Sequence, residues 1–216
     1  TNSDGEKLYL EIEGKIYDLL RNAQKVTYHD SFAVYEGDLF GESYSIIATV
    51  IAKHATKSIV VLLSKSLSEG ELTYSFVPSL GQFPNQNVFI QNINGAFEIR
   101  SAISDYKFGH AFFKLSNGNA VCFKSGERIC FQFSAKTENL MFLGGVAGDI
   151  HRDYILSLLE SKDEKIVLNS LKEKVINHNE SCSALEFWLR YQVNNSRFFG
   201  RTGQYQSSGA YGFRDQ

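Results

Sequence analysis

The feature that most restricts the fold of this chain is a succession of short strand-like runs between Ser31 and Leu143. Each run is rich in β-branched and aromatic residues, and glycine-containing turns separate one run from the next. Seventeen Phe and eleven Tyr against one Trp and two Pro favour half-buried strands over a helical bundle. The regular spacing of turns and strands is typical of a layered antiparallel β-sandwich.

The pattern predicts ten strands in this region: Phe32–Phe40, Ser43–Lys53, Lys57–Ser66, Glu71–Phe76, Val88–Gln91, Phe97–Ala102, Gly109–Leu115, Ala120–Lys124, Arg128–Ala135 and Leu140–Leu143. The runs IIATVIA and IVVLL are long enough in apolar residues to be buried on both faces. Alternation in ICFQF places Cys130 and Gln132 opposite Ile129, Phe131 and Phe133.

Three connections in the β region are also predicted. KHATK resembles a hairpin loop, and Val77–Gln86, which holds both prolines, is a long loop. Asn117–Gly118 and Ser125–Gly126 are turn signals. At the N-terminus the pattern is ambiguous, because Lys7–Glu13 alternates like a strand while Ile12 to Leu20 also fits a short helix.

Helical spacing replaces the strand pattern after Gly148. Asp149 is a candidate N-cap, and apolar residues then recur along two helices that end near Asn177–Asn179. A third helix begins at the capping box Ser183-x-x-Glu186 and carries Leu185, Trp188, Leu189 and Val193 on one face. We therefore expect a β-sandwich over residues 1–147, a helical linker over 148–182 and a further domain starting at 183–216.

Charge and composition exclude several classes of function. A formal net charge of −2 gives no electrostatic reason to expect nucleic acid as a partner. No apolar run is long enough to span a membrane, and the N-terminus has no signal-peptide pattern. Cys122, Cys130 and Cys182 lack metal-ligand spacing, and we expect free thiols in a cytoplasmic protein, with a Cys122–Cys130 pair as the alternative.

The sequence also contains few patterns typical of catalytic or metal sites. The five histidines are scattered and no two stand at metal-ligand spacing, so no metal site is predicted. Glu36, Asp38 and Glu42 flank glycines near a turn, and we interpret them as a solvated edge rather than a pair of hydrolytic carboxylates. Gly200-x-x-Gly203 and Gly209-x-x-Gly212 are not set between a strand and a helix, which argues against a nucleotide site.

The polar loop after Phe199 is the best candidate for a ligand site. Closely spaced glycines allow its backbone to approach a ligand, while Arg, Gln, Asp and Tyr side chains supply donors, acceptors and flat apolar faces. This mixture suits a sugar ring, and the adjacent Arg214 and Asp215 can hold neighbouring hydroxyls through charge-assisted hydrogen bonds. The alternative is that Arg214 and Asp215 form a structural ion pair in a turn, which composition alone favours.

The same segment carries a denser motif: Trp188–Leu189, Tyr191–Gln192, Arg197, Arg201 and Tyr205–Gln216. It resembles the start of the catalytic domain of glycoside hydrolase family 94, phosphorylases formerly classed as glycosyltransferase family 36. The resemblance is close over roughly the last thirty residues and otherwise only in outline. It implies an α+β chain, with an antiparallel β-sandwich, a helical linker and the first helix of an (α/α)6 barrel.

The resemblance also implies roles for single residues. Arg214 and Asp215 correspond to ligands of the non-reducing-end sugar, and the further candidates for substrate contact or support are Arg201, Gln204, Gln206 and Tyr211. Gly209 stands where the cellobiose and chitobiose phosphorylases tend to have Arg. The Ser-Gly-Ala-Tyr sequence is closer to the β-1,2-oligoglucan phosphorylase and cyclic β-1,2-glucan synthase branch.

The chain ends at Gln216, inside the motif, and its only Met is Met141, so we expect it to be a fragment. The general acid and the phosphate-binding residues of the family would lie beyond Gln216. The implied reaction is an inverting phosphorolysis of a β-glucosidic bond, with inorganic phosphate as co-substrate and no cofactor.

The implied partners are an oligosaccharide and the remainder of the catalytic domain, and a homodimer is left open. The alternative function is a non-catalytic β-sandwich module that binds sugar or packs against another domain or subunit.

Overall fold

The computed structural model of the chain describes residues 6–29, 32–51, 56–77, 88–101, 110–116, 118–146 and 189. Thirteen strands and one short 3₁₀ helix, Leu67–Glu69, make up this described part. The strands are β1 (Lys7–Ile12), β2 (Lys15–Asp18), β3 (Lys25–Tyr28), β4 (Phe32–Leu39), β5 (Glu42–Ile51), β6 (Thr56–Leu63), β7 (Glu71–Phe76), β8 (Val88–Ile93), β9 (Ala96–Ser101), β10 (His110–Leu115), β11 (Val121–Ser125), β12 (Arg128–Ser134) and β13 (Glu138–Val146).

The strands form two sheets in which every described pair is antiparallel. The small sheet has five strands in the order β11-β12-β7-β1-β2, and the large sheet has eight in the order β3-β4-β5-β6-β13-β10-β9-β8. A single apolar core takes side chains from both sheets, so the two sheets pack face to face. The described part is thus the antiparallel β-sandwich that the strand pattern predicts.

An aromatic stack lies at the centre of this core. Phe113 of the large sheet and Phe131 of the small sheet are parallel, with ring centroids 3.9 Å apart. Phe97 contacts Phe131 at 5.4 Å, and Tyr74 stacks on Phe113 at 6.0 Å. Ring contacts of this kind add to the stabilisation from area burial alone, by about 0.5–1.5 kcal/mol per pair. Phe131 and its neighbours Ile129 and Phe133 face this core, as their alternation with Cys130 and Gln132 predicts.

The central strands of the large sheet are buried on both faces. Ile46 and Val61 point into the core between the sheets, whereas Ile47 and Val60 point the other way and are also buried. The outward-facing set, which lies outside the shared core, comprises Phe32, Val34, Ile47, Val60, Phe112, Leu140 and Phe142, none more than 6% exposed. We call this side the outer face of the large sheet. Its burial confirms the prediction from IIATVIA and IVVLL.

The helical alternative for the N-terminal segment is wrong. Glu13 and Gly14 form a two-residue turn between β1 and β2, and both have positive φ, 51° and 72°. This geometry matches the twist of a hairpin and prevents a continuous helix from Ile12. The predicted turn near Ser125 is shifted by one residue, because Ser125 pairs with Arg128 and Gly126–Glu127 forms the loop.

Several predicted features lie outside the described residues. These are most of the KHATK loop, the loop Val77–Gln86 except for Val77, Asn117, the helical linker over 148–182 and the start of the further domain over 183–216, except for Leu189. Leu189 is the one described residue of the helix predicted from Ser183, and its side chain is 55% exposed, so this helix stays a prediction.

Candidate functional site

The residues that the sequence predicts as sugar ligands lie outside the described residues. They are Arg201, Gln204, Gln206, Tyr211, Arg214 and Asp215. Their roles stay predictions. Within the described residues, the candidates for a functional site are the charged, nucleophilic and exposed aromatic groups of the sandwich.

The three acidic residues near Gly37 and Gly41 have local structural partners. Glu36 of β4 forms an exposed ion pair with Lys25 at 3.0 Å. Asp38 accepts a hydrogen bond from the backbone N–H of Gly41 at 2.8 Å, and Glu42 accepts one from the Ser66 hydroxyl at 3.1 Å. These contacts cap turns and an edge hairpin, and they confirm the interpretation as a solvated edge.

The two described cysteines are free. Cys122 pairs in register with Phe131, and Cys130 with Phe123, so the two side chains leave the β11–β12 hairpin on opposite faces. That one-residue offset excludes a disulfide between them. Burial raises the pKa of Cys122 to about 11, with a smaller contribution from Cys130, and burial also raises the pKa of Cys130. Neither thiol has the lowered pKa of a reactive nucleophile.

A polar cluster links the two sheets near the start of β1. Glu6, which precedes β1, forms an ion pair with Lys57 of β6. The nearby hydroxyl of Tyr74 is fully buried, and its pKa is raised well above 10.0 by burial and, to a smaller extent, by the Glu6 carboxylate. A hydroxyl enclosed in the core cannot meet a substrate, so this cluster is a structural link between the sheets.

The most unusual charged group of the described part is Glu98 on β9. Its side chain is 0% exposed, and its Oε2 accepts a hydrogen bond from Nη2 of Arg100 at 2.9 Å. Phe97 and Ile99 point into the core, so Glu98 and Arg100 lie on the outer face of the large sheet. A buried carboxylate is costly unless it is paired, and Arg100 supplies that pairing. The guanidinium is thereby fixed, while 38% of the Arg100 side chain stays exposed.

Two exposed residues of β8 lie beside this ion pair. Phe89 is the register partner of Arg100, and Gln91 is the register partner of Glu98. Residues paired in this way share one face of a sheet, with Cβ atoms about 4.5–5.5 Å apart. Phe89 is 67% exposed, and Gln91 is also exposed. We call these four residues the β8–β9 patch.

The β8–β9 patch combines a flat apolar ring, a carboxamide and an oriented guanidinium on the last two strands of the large sheet. Nε of Arg100 is buried and has no hydrogen-bond partner within the described part of the chain. This patch was not predicted from the sequence, because Glu98 and Arg100 look like an ordinary solvent face of an alternating strand. The only signal was an acidic and a basic residue two positions apart on one strand face.

Two features are absent from the described residues. No group of three or more His, Cys, Asp or Glu side chains in the ranges given above is arranged to hold a metal ion. No helix in the same part of the chain is both long and apolar enough to cross a membrane.

Comparisons with known proteins find matches among solved structures but not among family models or curated sequences. No family model matches the chain, and no curated protein matches it significantly. Among solved structures the chain is similar to one named "Putative kojibiose phosphorylase from human microbiome", with 10% sequence identity and a TM-score of 0.41. The similarity covers 89% of this chain and 27% of that one, so the chain spans about a quarter of that protein's length.

Proposed function

We infer that this chain is part of an inverting carbohydrate phosphorylase that cleaves a β-glucosidic bond with inorganic phosphate. The observation that carries this proposal is the run Tyr205–Gln216, in which ten of the twelve positions follow the order of the sugar-binding loop of glycoside hydrolase family 94. The antiparallel sandwich over β1–β13 supports it, because the resemblance implies such a domain ahead of the loop.

The proposed substrate class is a β-1,2-linked glucan oligosaccharide. The support for this linkage is the Ser208-Gly-Ala-Tyr211 sequence, in which Gly209 replaces the Arg typical of the cellobiose and chitobiose branch. The two branches differ little in this loop. The linkage is therefore tested most directly with a panel of substrates that differ in linkage.

In the proposed reaction, a carboxylic acid beyond Gln216 protonates the glycosidic oxygen, and phosphate attacks the anomeric carbon from the opposite face. The bond from the anomeric carbon to the leaving oxygen breaks as the bond to phosphate forms, and the product is an α-sugar 1-phosphate. Phosphate is the nucleophile, so one protein carboxylic acid is sufficient. Arg214 and Asp215 would hold the donor sugar in position for this in-line displacement.

A substrate panel in the intact enzyme tests this proposal. β-linked glucobioses of each linkage are incubated with phosphate, and release of glucose 1-phosphate is measured, with the β-1,2 disaccharide or its longer homologues expected to react fastest. Asp215→Ala should lower turnover at least a hundredfold while the fold is retained, because orientation of the donor is lost. Glu69→Ala, at an exposed position of the 3₁₀ helix, is the control.

Phosphorolysis by Asp215→Ala at the rate of the unaltered enzyme would overturn the assignment of that residue. If no β-glucobiose reacts and no helical domain follows Gln216 in the gene, the non-catalytic module becomes the better interpretation.

A further inference from the structure

We propose that the β8–β9 patch, which is formed by residues other than the predicted donor ligands Arg214 and Asp215, is a binding surface for one sugar unit of a neutral oligosaccharide. The choice of β-glucan as the first probe rests on the proposed function. The patch itself is argued from Phe89, Gln91, Glu98 and Arg100, all of which are described.

The chemistry of the patch fits a pyranose. The exposed ring of Phe89 offers a flat apolar face for the C–H face of a sugar, and Gln91 supplies both a donor and an acceptor for ring hydroxyls. Arg100 lies opposite Phe89, and its side chain is partly exposed. Hydrogen bonds from a charged donor are stronger than neutral ones, so the guanidinium would provide most of the orientation.

The burial of Glu98 supports a ligand-binding role for Arg100. Because Glu98 is 0% exposed and binds Nη2, the guanidinium is fixed before any ligand arrives. A pre-oriented donor loses less conformational freedom on binding than a mobile surface Arg does. The ion pair itself carries no net charge, which favours a neutral ligand over an anion.

The size of the patch favours a small ligand over a protein partner. Phe89 and Gln91 lie two residues apart on one strand, about 7 Å, and adjacent strands are about 4.8 Å apart. A stable protein interface buries about 800 Å² on each partner, far more than four side chains of this spacing provide. The patch therefore matches the dimensions of a sugar unit at the edge of the sheet.

The test is calorimetric titration of the full 216-residue chain with linear β-1,2-glucan oligosaccharides. Separate titrations use cello-oligosaccharides and malto-oligosaccharides. We expect wild-type binding to weaken about two- to twelvefold in Phe89→Ala, the range that one lost ring contact supplies. Arg100→Lys keeps the charge but removes the planar fork, and it should weaken binding to a similar extent.

Two controls separate this surface from other effects. Phe40→Ala removes a ring at the β4–β5 turn that is as exposed as Phe89, 68% against 67%. This turn lies five strand spacings, or about 24 Å, from β8. Phe40→Ala should therefore bind oligosaccharide as wild type does. Asp215→Ala should also retain this affinity, so failure of the donor-site assignment and failure of the patch are distinguishable. Circular dichroism checks that each variant is folded.

Three results would overturn the proposal: no oligosaccharide of any arm binds the wild-type chain, Phe89→Ala and Arg100→Lys bind as tightly as wild type, or Phe40→Ala weakens binding as much as Phe89→Ala. A change of oligomeric state in Phe89→Ala without any sugar binding would identify the patch as a protein contact instead, and would also overturn it.

Discussion

The hydroxyl of Tyr44 donates a hydrogen bond to the backbone carbonyl oxygen of Leu19 at 2.8 Å, in a buried position between the two sheets. Tyr44 belongs to β5 of the large sheet, and Leu19 follows β2 of the small sheet. The same backbone segment is held to β1, because the N–H of Leu19 donates to the carbonyl of Leu8 at 2.8 Å. One side chain thus joins the edge hairpin of one sheet to an inner strand of the other.

Tyr44→Phe should lower the free energy of unfolding by about 1–2 kcal/mol. The substitution removes the donor and leaves the Leu19 carbonyl without this partner in a buried position. Urea denaturation followed by circular dichroism measures the change. Tyr9→Phe, at a half-buried position of β1, is the matched control and should change stability by less than about 0.5 kcal/mol. Equal effects of the two variants would contradict a specific role for the Tyr44 hydroxyl.

Stability should fall in alkaline solution, in part through Tyr44. Burial, and secondarily Asp18, raises the pKa of Tyr44 to about 12 from 10.0. Below pH 10 the hydroxyl is protonated in both the folded and the unfolded chain. Between pH 10 and 12 the unfolded chain releases this proton more readily, so the unfolded state is favoured as the pH rises.

The measurement is the urea midpoint across that pH window for wild type and Tyr44→Phe. We expect a smaller decrease in the variant, because it lacks the titrating group, whereas Tyr74, whose pKa is also raised, contributes to both proteins. Parallel curves for the two proteins would show that Tyr44 does not contribute to the alkaline loss.

Gly37→Ala should be destabilising by about 1–3 kcal/mol, which is the usual cost of overpacking a side chain. A Cβ at Gly37 would lie 2.4 Å from Cζ and Oη of Tyr44, its register partner on β5. The ring cannot move away easily, because its hydroxyl is bound to Leu19.

A double-mutant cycle isolates this contact. In a Tyr44→Val background the ring is absent, so Gly37→Ala should cost much less than it does in wild type. Thermal or urea unfolding of the four proteins gives the coupling. An unchanged cost in the Tyr44→Val background would mean that the effect of Gly37→Ala arises from something other than the Tyr44 ring.

The thiol of Cys122 should react slowly with alkylating reagents. Its pKa is raised to about 11 from 9.0, chiefly by burial, so at pH 8 the thiolate fraction is about a hundredfold below that of an unperturbed thiol. Iodoacetamide labelling read by mass spectrometry, in a Cys182→Ser background, measures the rates of Cys122 and Cys130. Full labelling of Cys122 in native buffer at the rate seen in urea would contradict the buried environment.

The order and approximate limits of ten strands between Phe32 and Val146 follow from local pattern, because β-branched runs and glycine turns act over a few residues. Glu71–Phe76 is predicted with both limits correct, and Leu140–Leu143 is the largest underestimate, since β13 covers Glu138–Val146. That strand is longer because Gly144, Gly145 and Val146 pair with β10, a partner that lies more than twenty residues away in sequence.

The candidate site also combines features that follow from local sequence with features that depend on distant parts of the chain. The sequence places Arg214 and Asp215 in a glycine-spaced polar loop, and this remains a prediction. The β8–β9 patch was not predicted, because the alternation around Glu98 is that of a solvent-exposed face. Its burial depends on what covers the sheet and on the pairing of β9 with β10, neither of which is a local property of the strand.

By itself, the sequence determined that the region from Phe32 to Val146 is built of antiparallel strands, and it placed most of these strands along the chain, because strand formation depends on side-chain shape and backbone preference within a few residues. Only the tertiary structure decided that β7 lies between β12 and β1, that β13 lies between β6 and β10, and that Glu98 is enclosed. The physical reason is that strands distant in sequence pair wherever their apolar faces can be buried together. The Glu98 carboxylate needs its pairing with Arg100 only in the assembled sheet, because burying an unpaired charge away from water costs free energy.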